Sequence, residues 1–337
     1  MKILFLFFIF IFSKGLSQQC NGHIFDDKNI AIQNVNVYLD GTTFATQTDV
    51  NGQFLLHYDS VSTRVLVVSC IGYQTMYLSN YNNIGDLIIN LKPAIIELNT
   101  VTINCDAFPR KQKLKLFRNE FLGRTPNGKN CVIENEKAIY FVYNKKLRSL
   151  QAFANEPLVV INKNLGYKIY IDLLGFEATF YRTNLNPSEM YRCYYAVLSH
   201  FEETSNSEKY QKRRFKAYNE SQLHFFRNMA NNLWDKNNFM LYFGTFPANP
   251  ANFFEIEVDG YLSTVAVKTD AKSVTKKVVA SFDVVFEDKK QSAITFETST
   301  FTIDHFGNNS HIKNIIISGA LSEQKVGCMV PMNYGLK

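Results

Sequence analysis

The sequence has few of the residue patterns that usually mark a reactive centre. Its six cysteines form no CxxC pair and show no Cys/His ligand spacing, so they do not predict a zinc site. It also contains no GxSxG nucleophile motif, no P-loop and no dinucleotide-binding glycine pattern. We therefore predict no catalytic, cofactor-binding or metal-binding residues and expect a protein that is not an enzyme.

A concentrated run of one charge is also lacking. The net charge is +6, and the 36 Lys and Arg residues are spread along the chain instead of forming one basic stripe, so nucleic acid is not an expected partner. The 46% of hydrophobic residues is enough for a folded core, and the length of 337 residues favours two or three domains.

The N-terminal residues have the pattern of an export signal. Lys2 precedes an apolar run from Ile3 to Phe12, and the polar stretch SKGLSQQ follows. The run is much shorter than the roughly 20 residues of a membrane-spanning helix, so the pattern predicts a signal peptide over 1–18. Cys20 raises the alternative of a lipid anchor, which the bulky Gln19 before it disfavours. We expect no transmembrane span in the mature chain.

The stretch TQTDVNGQFLLHY, residues 46–58, predicts a turn between two strands. Asn51 and Gly52 favour a two-residue type I′ hairpin turn, and the side chain of Asp49 is placed to accept hydrogen bonds from backbone amides there. A calcium loop would need several more oxygen ligands. Alternating apolar residues predict that one face of each flanking strand is buried: Val35, Val37 and Leu39 before the turn, and Phe54, Leu56 and Tyr58 after it.

These strands carry a resemblance to a known family. The segments HIFDDKNIAIQNVNVYLDGTTFATQTDVNGQFLL, SCIGYQT and IINLKPAIIELNTVTI resemble the carboxypeptidase-like regulatory domain, a transthyretin-like sandwich found in exported Gram-negative proteins. The resemblance covers about residues 20–103. It implies a seven-stranded β-sandwich, a carbohydrate-binding-like fold class and an extracytoplasmic setting, and it carries no catalytic residues.

The remaining residues are similar to the C-terminal partner region of a group of Gram-negative envelope proteins. The similarity is carried by FRNEFLGRTPNGKNCVIEN, NEPLVVINKNLGYKIYIDLLGFEATF, RRFKAYNESQLHFFRNMANN and IISGALSEQKVGCMVPMNY. It implies a two-part architecture and a location in the periplasm or at the outer membrane, with peripheral membrane association as an alternative. It implies no particular reaction.

We predict a mainly β protein with four segments. The signal peptide over 1–18 is followed by the β-sandwich over 19–103, a β-rich domain with amphipathic helices over 104–245, and a C-terminal β-rich region over 246–337 packed against it. Together the last two form a larger α+β region. Helical spacing of apolar residues predicts a short helix over 108–121 and one or two helices over 208–233. The stretch KYQKRR in the latter is interpreted as a solvated helix face, with an electrostatic patch as the alternative.

One pattern favours a metal site. In HFEE, His200 and Glu203 form an HxxE pair, and His305 is a candidate third zinc ligand. The zinc carboxypeptidases carry their sandwich after the catalytic domain, whereas here it comes first, so we do not favour this interpretation.

The favoured function is therefore a non-catalytic envelope protein. Its sandwich would act as a structural or docking module, and its C-terminal region would bind a protein, a glycan or an outer-membrane component. The alternative is a hydrolase whose site is assembled from residues distant in sequence. It would require a cleft where His, Glu or Ser side chains converge with shifted pKa values.

Overall fold

The computed structural model describes residues 18–58, 64–79, 81, 85–94, 108–219, 221–268, 278–287 and 289–336. The predicted signal peptide lies outside these residues, apart from its last predicted position. Among the helices of the described residues, none is both long enough and apolar enough to cross a membrane.

The described residues contain 21 strands and four α-helices, named here in chain order. The strands are β1 Gln18–Phe25, β2 Asn36–Leu39, β3 Ala45–Gln47, β4 Gln53–Tyr58, β5 Leu66–Ser69, β6 Met76–Leu78, β7 Leu87–Asn90, β8 Cys131–Ile133, β9 Ile139–Asn144, β10 Ser149–Ala154, β11 Leu158–Asn162, β12 Tyr167–Phe180, β13 Met190–Glu203, β14 Phe239–Phe243, β15 Phe246–Pro247, β16 Phe254–Asp259, β17 Leu262–Val267, β18 Ala280–Phe286, β19 Lys290–Phe296, β20 Thr300–Asp304 and β21 Ile315–Gly319. The helices are α1 Arg110–Phe121, α2 Pro126–Lys129, α3 Glu208–Asn219 and α4 Gln222–Ala230.

The N-terminal unit is a β-sandwich, as predicted. Its seven strands form a three-stranded sheet in the order β4-β1-β7 and a four-stranded sheet in the order β3-β2-β5-β6. Alternate residues of β4 face the core, so Phe54, Leu56 and Tyr58 are buried while their neighbours are exposed. Val37 and Leu39 from the other sheet pack into the same core. The alternation of apolar and polar residues therefore predicted correctly which faces of these strands are buried.

The turn before β4 differs from the predicted hairpin. Asp49 accepts hydrogen bonds from the amides of Asn51 and Gln53 at 2.8 and 2.9 Å, which confirms its role. However, β3 and β4 belong to different sheets, and only Gly52 of the central pair has a positive φ, +73°. The type I′ prediction was wrong because the chain crosses between the two layers here. A Cβ at Gly52 would lie 2.5 Å from the carbonyl oxygen of Ile24.

The middle unit is one sheet with helices packed on its inner face. Its strand order is β8-β11-β12-β10-β9, and β13 pairs with β12 along the opposite edge. Phe117 and Phe121 of α1 enter this core, where the ring of Phe117 lies 4.9 Å from the ring of Phe176. The predicted helix over 108–121 is present from Arg110.

The predicted helical segment over 208–233 divides into two helices, α3 and α4. Ser221 is the N-cap of α4, and its hydroxyl accepts a hydrogen bond from the amide of His224 at 3.1 Å. The helical spacing in this segment also predicts one broad apolar stripe that includes Phe215 and Leu233, but these two residues are 59% and 50% exposed. That prediction was wrong because Leu233 lies beyond the end of α4 at Ala230, and Phe215 lies off the buried face of α3, which carries Arg214 and Ala217. Arg214 is the large buried side chain of α3 instead.

The C-terminal unit contains two sheets that enclose a third core. One has the order β15-β14-β18-β19-β21 and the other the order β16-β17-β20. Phe225 and Phe226 of α4 belong to this core, whereas Ala217 of α3 belongs to that of the middle unit. Val326 and Val330, near the end of the chain, return to the middle core. The exact domain bounds proposed from the sequence remain predictions.

Candidate functional site

A cleft of about 810 Å³ lies between the middle and C-terminal units, within the size range of ligand-binding sites. We call it the basic cleft. Segments distant in sequence form its wall: the start of α2, the turn before β12, helix α3, the start of β19 and the segment 319–328. Its described lining residues are Thr125, Pro126, Asn127, Asn164, Arg213, Lys216, Ala217, Lys289, Lys290, Gln291, Gly319, Ala320, Glu323, Gln324 and Cys328.

The wall of the basic cleft is strongly cationic. It carries Arg213 and Lys216 from α3 and Lys289 and Lys290 from the C-terminal unit, while Glu323 is the single carboxylate among the described lining residues. Within the described part of the chain, Arg213, Lys216 and Lys289 make no ion pair. Cations held around a concave surface attract anions more strongly than the same charges on an open surface, because the low-dielectric walls focus the field.

Side-chain hydrogen bonds fix the shape of one wall. Arg213 donates to the carbonyl oxygen of Asn164 at 3.2 Å, and the side chain of Asn164 donates to that of Asn127. Thr125 is the N-cap of α2, and its hydroxyl lies 3.1 Å from the thiol of Cys328. These contacts join α3, the turn before β12, α2 and the segment at Cys328 along one wall of the cleft.

Two glycines make backbone contact beneath this wall. Gly327 donates its amide to the carbonyl oxygen of Leu122 at 2.9 Å and accepts a hydrogen bond from Asn162 Nδ2 at 2.9 Å. A Cβ at Gly327 would lie 2.4 Å from Cα of Gly128. Only glycine allows this approach, which seats the segment before Cys328 against α2.

A second polar site joins all three units at the turn after β2, residues 40–43. The amide of Gly41 donates to the carbonyl oxygen of Ser199 at 2.6 Å, and its carbonyl accepts from the amide of Met332 at 2.6 Å. The carbonyl oxygen of Thr42 accepts from the amide of Phe201 at 2.9 Å. Thr43 exchanges two hydrogen bonds with the side chain of Asn333. We call this turn the junction turn.

Charged side chains reinforce the junction turn. Arg64 contacts Asp40 at 2.5 Å and Asp304 of the C-terminal unit at 3.6 Å. Asp40 also accepts a hydrogen bond from the amide of Ser199 at 2.9 Å. Burial raises the pKa of Asp40, and the nearby guanidinium of Arg64 opposes that rise.

An aromatic and acidic cluster lies beside the junction turn. The hydroxyl of Tyr38 donates to Asp172 at 2.5 Å, and the ring of His200 lies between Tyr38 and Tyr170, with centroids at 4.4 and 4.5 Å. Tyr38 is only 2% exposed, although the alternation in β2 points it away from the sandwich core. Tyr38 is buried because the middle unit covers the face of the β2 sheet that points away from the sandwich core.

Replacing His200 by Phe will make the protein more resistant to acid. Burial lowers the pKa of His200 to about 4 from 6.5, so the fold favours the neutral ring. This stabilisation is complete above pH 6.5 and is lost as the pH falls. The free energy of unfolding of the wild type should decrease by about 3 kcal/mol more than that of His200→Phe between pH 7 and pH 4.

Chemical denaturation across this pH range measures the difference. Burial also raises the pKa values of Asp40 and Asp172, but both carboxyls are present in both proteins and cancel in the comparison. Parallel pH profiles for wild type and variant would contradict a buried neutral His200.

The three candidate zinc ligands do not converge. His200 and Glu203 both lie on β13, and residues three apart on a strand point to opposite faces. Glu203 instead pairs with Arg214 at 3.1 Å, and the ring of His305 packs against Tyr261 at 5.7 Å. On a helix, the two side chains of an HxxE pair lie on the same face and can reach one metal ion. This segment is instead the strand β13, which was not predicted from the sequence. No group of three or more metal-ligating side chains is found among the described residues.

Of the five cysteines within the described residues, Cys20 and Cys328 are buried and Cys70, Cys131 and Cys193 are partly buried. Cys20 is 4% exposed in the sandwich core, and burial raises its pKa to about 11. Burial likewise raises the pKa of Cys131 and of Cys193 to about 12. Cys70 packs against the edge of the sandwich core. Cys105 lies outside the described residues.

The N-terminal unit thus defines a protein module of the two-layer β-sandwich class. Residues 20–103 match the family model of the CarboxypepD_reg-like domain, so this part of the chain is a domain of that family. A search of curated proteins found no match to the chain.

The basic cleft was not predicted from the sequence. The run KYQKRR was interpreted as a solvated helix face, but Arg214 is 1% exposed, and Arg213 lines the cleft together with Lys216. The signal that could have found the site was this cationic run together with Lys289 and Lys290. Nothing in the local sequence shows that the two runs face each other.

Proposed function

We propose that this is an exported, non-catalytic envelope protein that binds an anionic ligand in the basic cleft. The observation that carries the proposal is the cleft of about 810 Å³ with four cationic side chains and one carboxylate among its described lining residues. Such a site favours carboxylate, sulfate or phosphate groups because cations bind them by charge-assisted hydrogen bonds.

The proposed location is the periplasm or the outer membrane. The apolar run from Ile3 to Phe12 after Lys2 supports export. Separating the periplasmic, membrane and cytoplasmic fractions of the source cells tests it. Retention of the full-length chain in the cytoplasm would contradict export.

We assign a structural role to the N-terminal sandwich in this function. Its junction turn is hydrogen-bonded to the middle unit at Ser199 and to the C-terminal segment at Met332. These contacts favour a module fixed to the rest of the chain over one that moves freely on a linker. The sandwich then supports the two units between which the basic cleft lies.

The hydrolase alternative has less support. His200 has a shifted pKa, but it lies at the junction with the sandwich and is not among the lining residues of the basic cleft. The described lining residues include one carboxylate, Glu323, and neither histidine nor serine, so the converging side chains that the hydrolase alternative requires are not found among them.

The double substitution of Arg213 and Lys216 by Gln will weaken anion binding. We expect the affinity for trigalacturonate at low salt to fall by at least about tenfold, because two charge-assisted contacts are lost. Isothermal titration calorimetry measures this, and the wild-type affinity should also fall as the salt concentration rises.

Lys236→Gln is the matched control, since Lys236 is exposed and lies outside the lining of the cleft. It should bind as the wild type does. Equal affinity of the double variant and the control, or no binding of trigalacturonate to the folded wild type, would contradict the proposal.

A further inference from the structure

The basic cleft continues along the surface into two further depressions. The middle depression, of about 540 Å³, shares Thr125, Pro126 and Glu323 with the basic cleft. The outer depression, of about 600 Å³, shares Asn119, Arg124 and Pro187 with the middle one. The basic cleft and the outer depression have no described lining residue in common, so the three follow one another in a line. We call the whole feature the long groove.

Cationic side chains line all three parts of the long groove, although in the middle depression they lie beside the carboxylates of Glu120 and Glu323. Lys115 and Arg124 line the outer depression, and Lys325 lines the middle one. Arg124 is paired with Glu120, and the ammonium of Lys325 lies 5.8 Å from the centre of the Tyr195 ring. Lys115 is exposed and makes no ion pair among the described residues. Lys115 therefore places positive charge at the far end of the groove, beyond the carboxylates of the middle depression.

Side-chain amides occur in all three parts of the long groove. Asn127, Asn164 and Gln291 line the basic cleft, Asn119 lies where the other two depressions meet, and Gln112 lines the outer depression. An amide both donates and accepts hydrogen bonds, as a hydroxyl group does. A groove lined by both amides and cations therefore matches a chain that carries both hydroxyls and carboxylates.

We propose that the long groove binds an acidic polysaccharide, a chain of sugars with repeated carboxylates. This inference rests on the proposed function of the basic cleft and adds its ligand class and length. The groove favours a sugar chain over an acidic peptide. Extended peptides are commonly bound by pairing with a strand edge, whereas the described lining comes mainly from α1, the start of α2, α3 and irregular segments.

Binding of oligogalacturonates of two lengths tests the proposal. A trimer has room in the basic cleft alone, whereas a nonamer extends into the other depressions. The several registers in which the nonamer can occupy the basic cleft would by themselves raise its affinity less than about tenfold. Contacts in the other two depressions add to this gain. We therefore expect the nonamer to bind at least about a hundredfold more tightly than the trimer in calorimetry at low salt.

Lys115→Gln separates the long groove from the basic cleft. It should weaken nonamer binding about fivefold and leave trimer binding unchanged, because Lys115 lines only the outer depression. Lys236→Gln should change neither affinity.

The outcomes distinguish the two proposals. Trimer binding with no further gain for the nonamer overturns the long groove and leaves the basic cleft standing. Failure of both oligomers to bind overturns the proposed function itself. Binding of a nonameric oligoglutamate as tight as that of the nonameric oligogalacturonate overturns the assignment to a polysaccharide.

Discussion

Replacing Arg214 by Met will lower the free energy of unfolding by about 4 kcal/mol, because it leaves buried acceptors without their donor. Arg214 is 1% exposed. Its guanidinium donates to the carbonyl oxygens of Leu165, Gly166 and Ser205 at 2.8, 2.9 and 2.8 Å. It also lies 4.0 Å from the centre of the Tyr167 ring. Methionine fills a similar volume but donates no hydrogen bond.

Urea denaturation followed by circular dichroism measures this loss. Lys212→Met is the matched control in the same helix, since Lys212 is 75% exposed and, within the described part of the chain, forms an ion pair only with the exposed Glu208. We expect that control to change stability by no more than about 0.5 kcal/mol. A loss for Arg214→Met no larger than that of the control would show that Arg214 does not join α3 to the turn before β12.

The second large effect is expected for Gly327→Ala. The added methyl group would lie 2.4 Å from Cα of Gly128 and 2.5 Å from the carbonyl oxygen of Leu122. Both neighbours are backbone atoms and cannot move aside as a flexible side chain could. We expect a loss of about 3 kcal/mol or more in the free energy of unfolding and, because Cys328 follows directly, weaker binding of trigalacturonate to the basic cleft.

Gly175→Ala provides the matched control for this substitution. Gly175 also has an ordinary φ, and a Cβ there would meet no atom within 4 Å. Thermal unfolding of the two variants compares them directly, and only Gly327→Ala should unfold at a clearly lower temperature. Equal midpoints would mean that the contact between Gly128 and Gly327 is not tightly packed.

The sequence was most informative where a strand has one buried face. In β4 the alternation of Phe54, Leu56 and Tyr58 with exposed residues is the direct result of a sheet with core on one side and solvent on the other. Binary patterning predicts such strands because each residue reports its own environment. The sandwich and the mainly β character of the chain were therefore predictable.

Prediction failed where a second unit covers the outer face. The middle of β13, from Cys193 to Leu198, is partly buried along its whole length, so it lacks clear alternation and was not predicted. Tyr38 belongs to the outer face of β2, and its burial depends on Asp172, which lies 134 residues later. A pattern within one segment carries no information about such a distant partner.

The basic cleft escaped prediction for the same reason. Arg213 and Lys216 lie on α3, whereas Lys289 and Lys290 precede or begin β19, and only the packing of the two units places these cations around one space. Exposed lysines usually belong to a solvated surface, so KYQKRR was interpreted as a solvated helix face. The site exists in the arrangement of the units and not in any single segment.

The junction turn limits how this chain can be recombined. A sandwich taken from another protein would fold with its own core, yet it would fit here only with a tyrosine at the position of Tyr38 and a turn able to bond with Ser199 and Asn333. Domain exchange by simple fusion at residue 103 would leave Asp172 buried opposite a foreign surface. Substitutions in the sandwich at this interface are therefore expected to be accompanied, as related sequences diverge, by compensating substitutions in the rest of the chain.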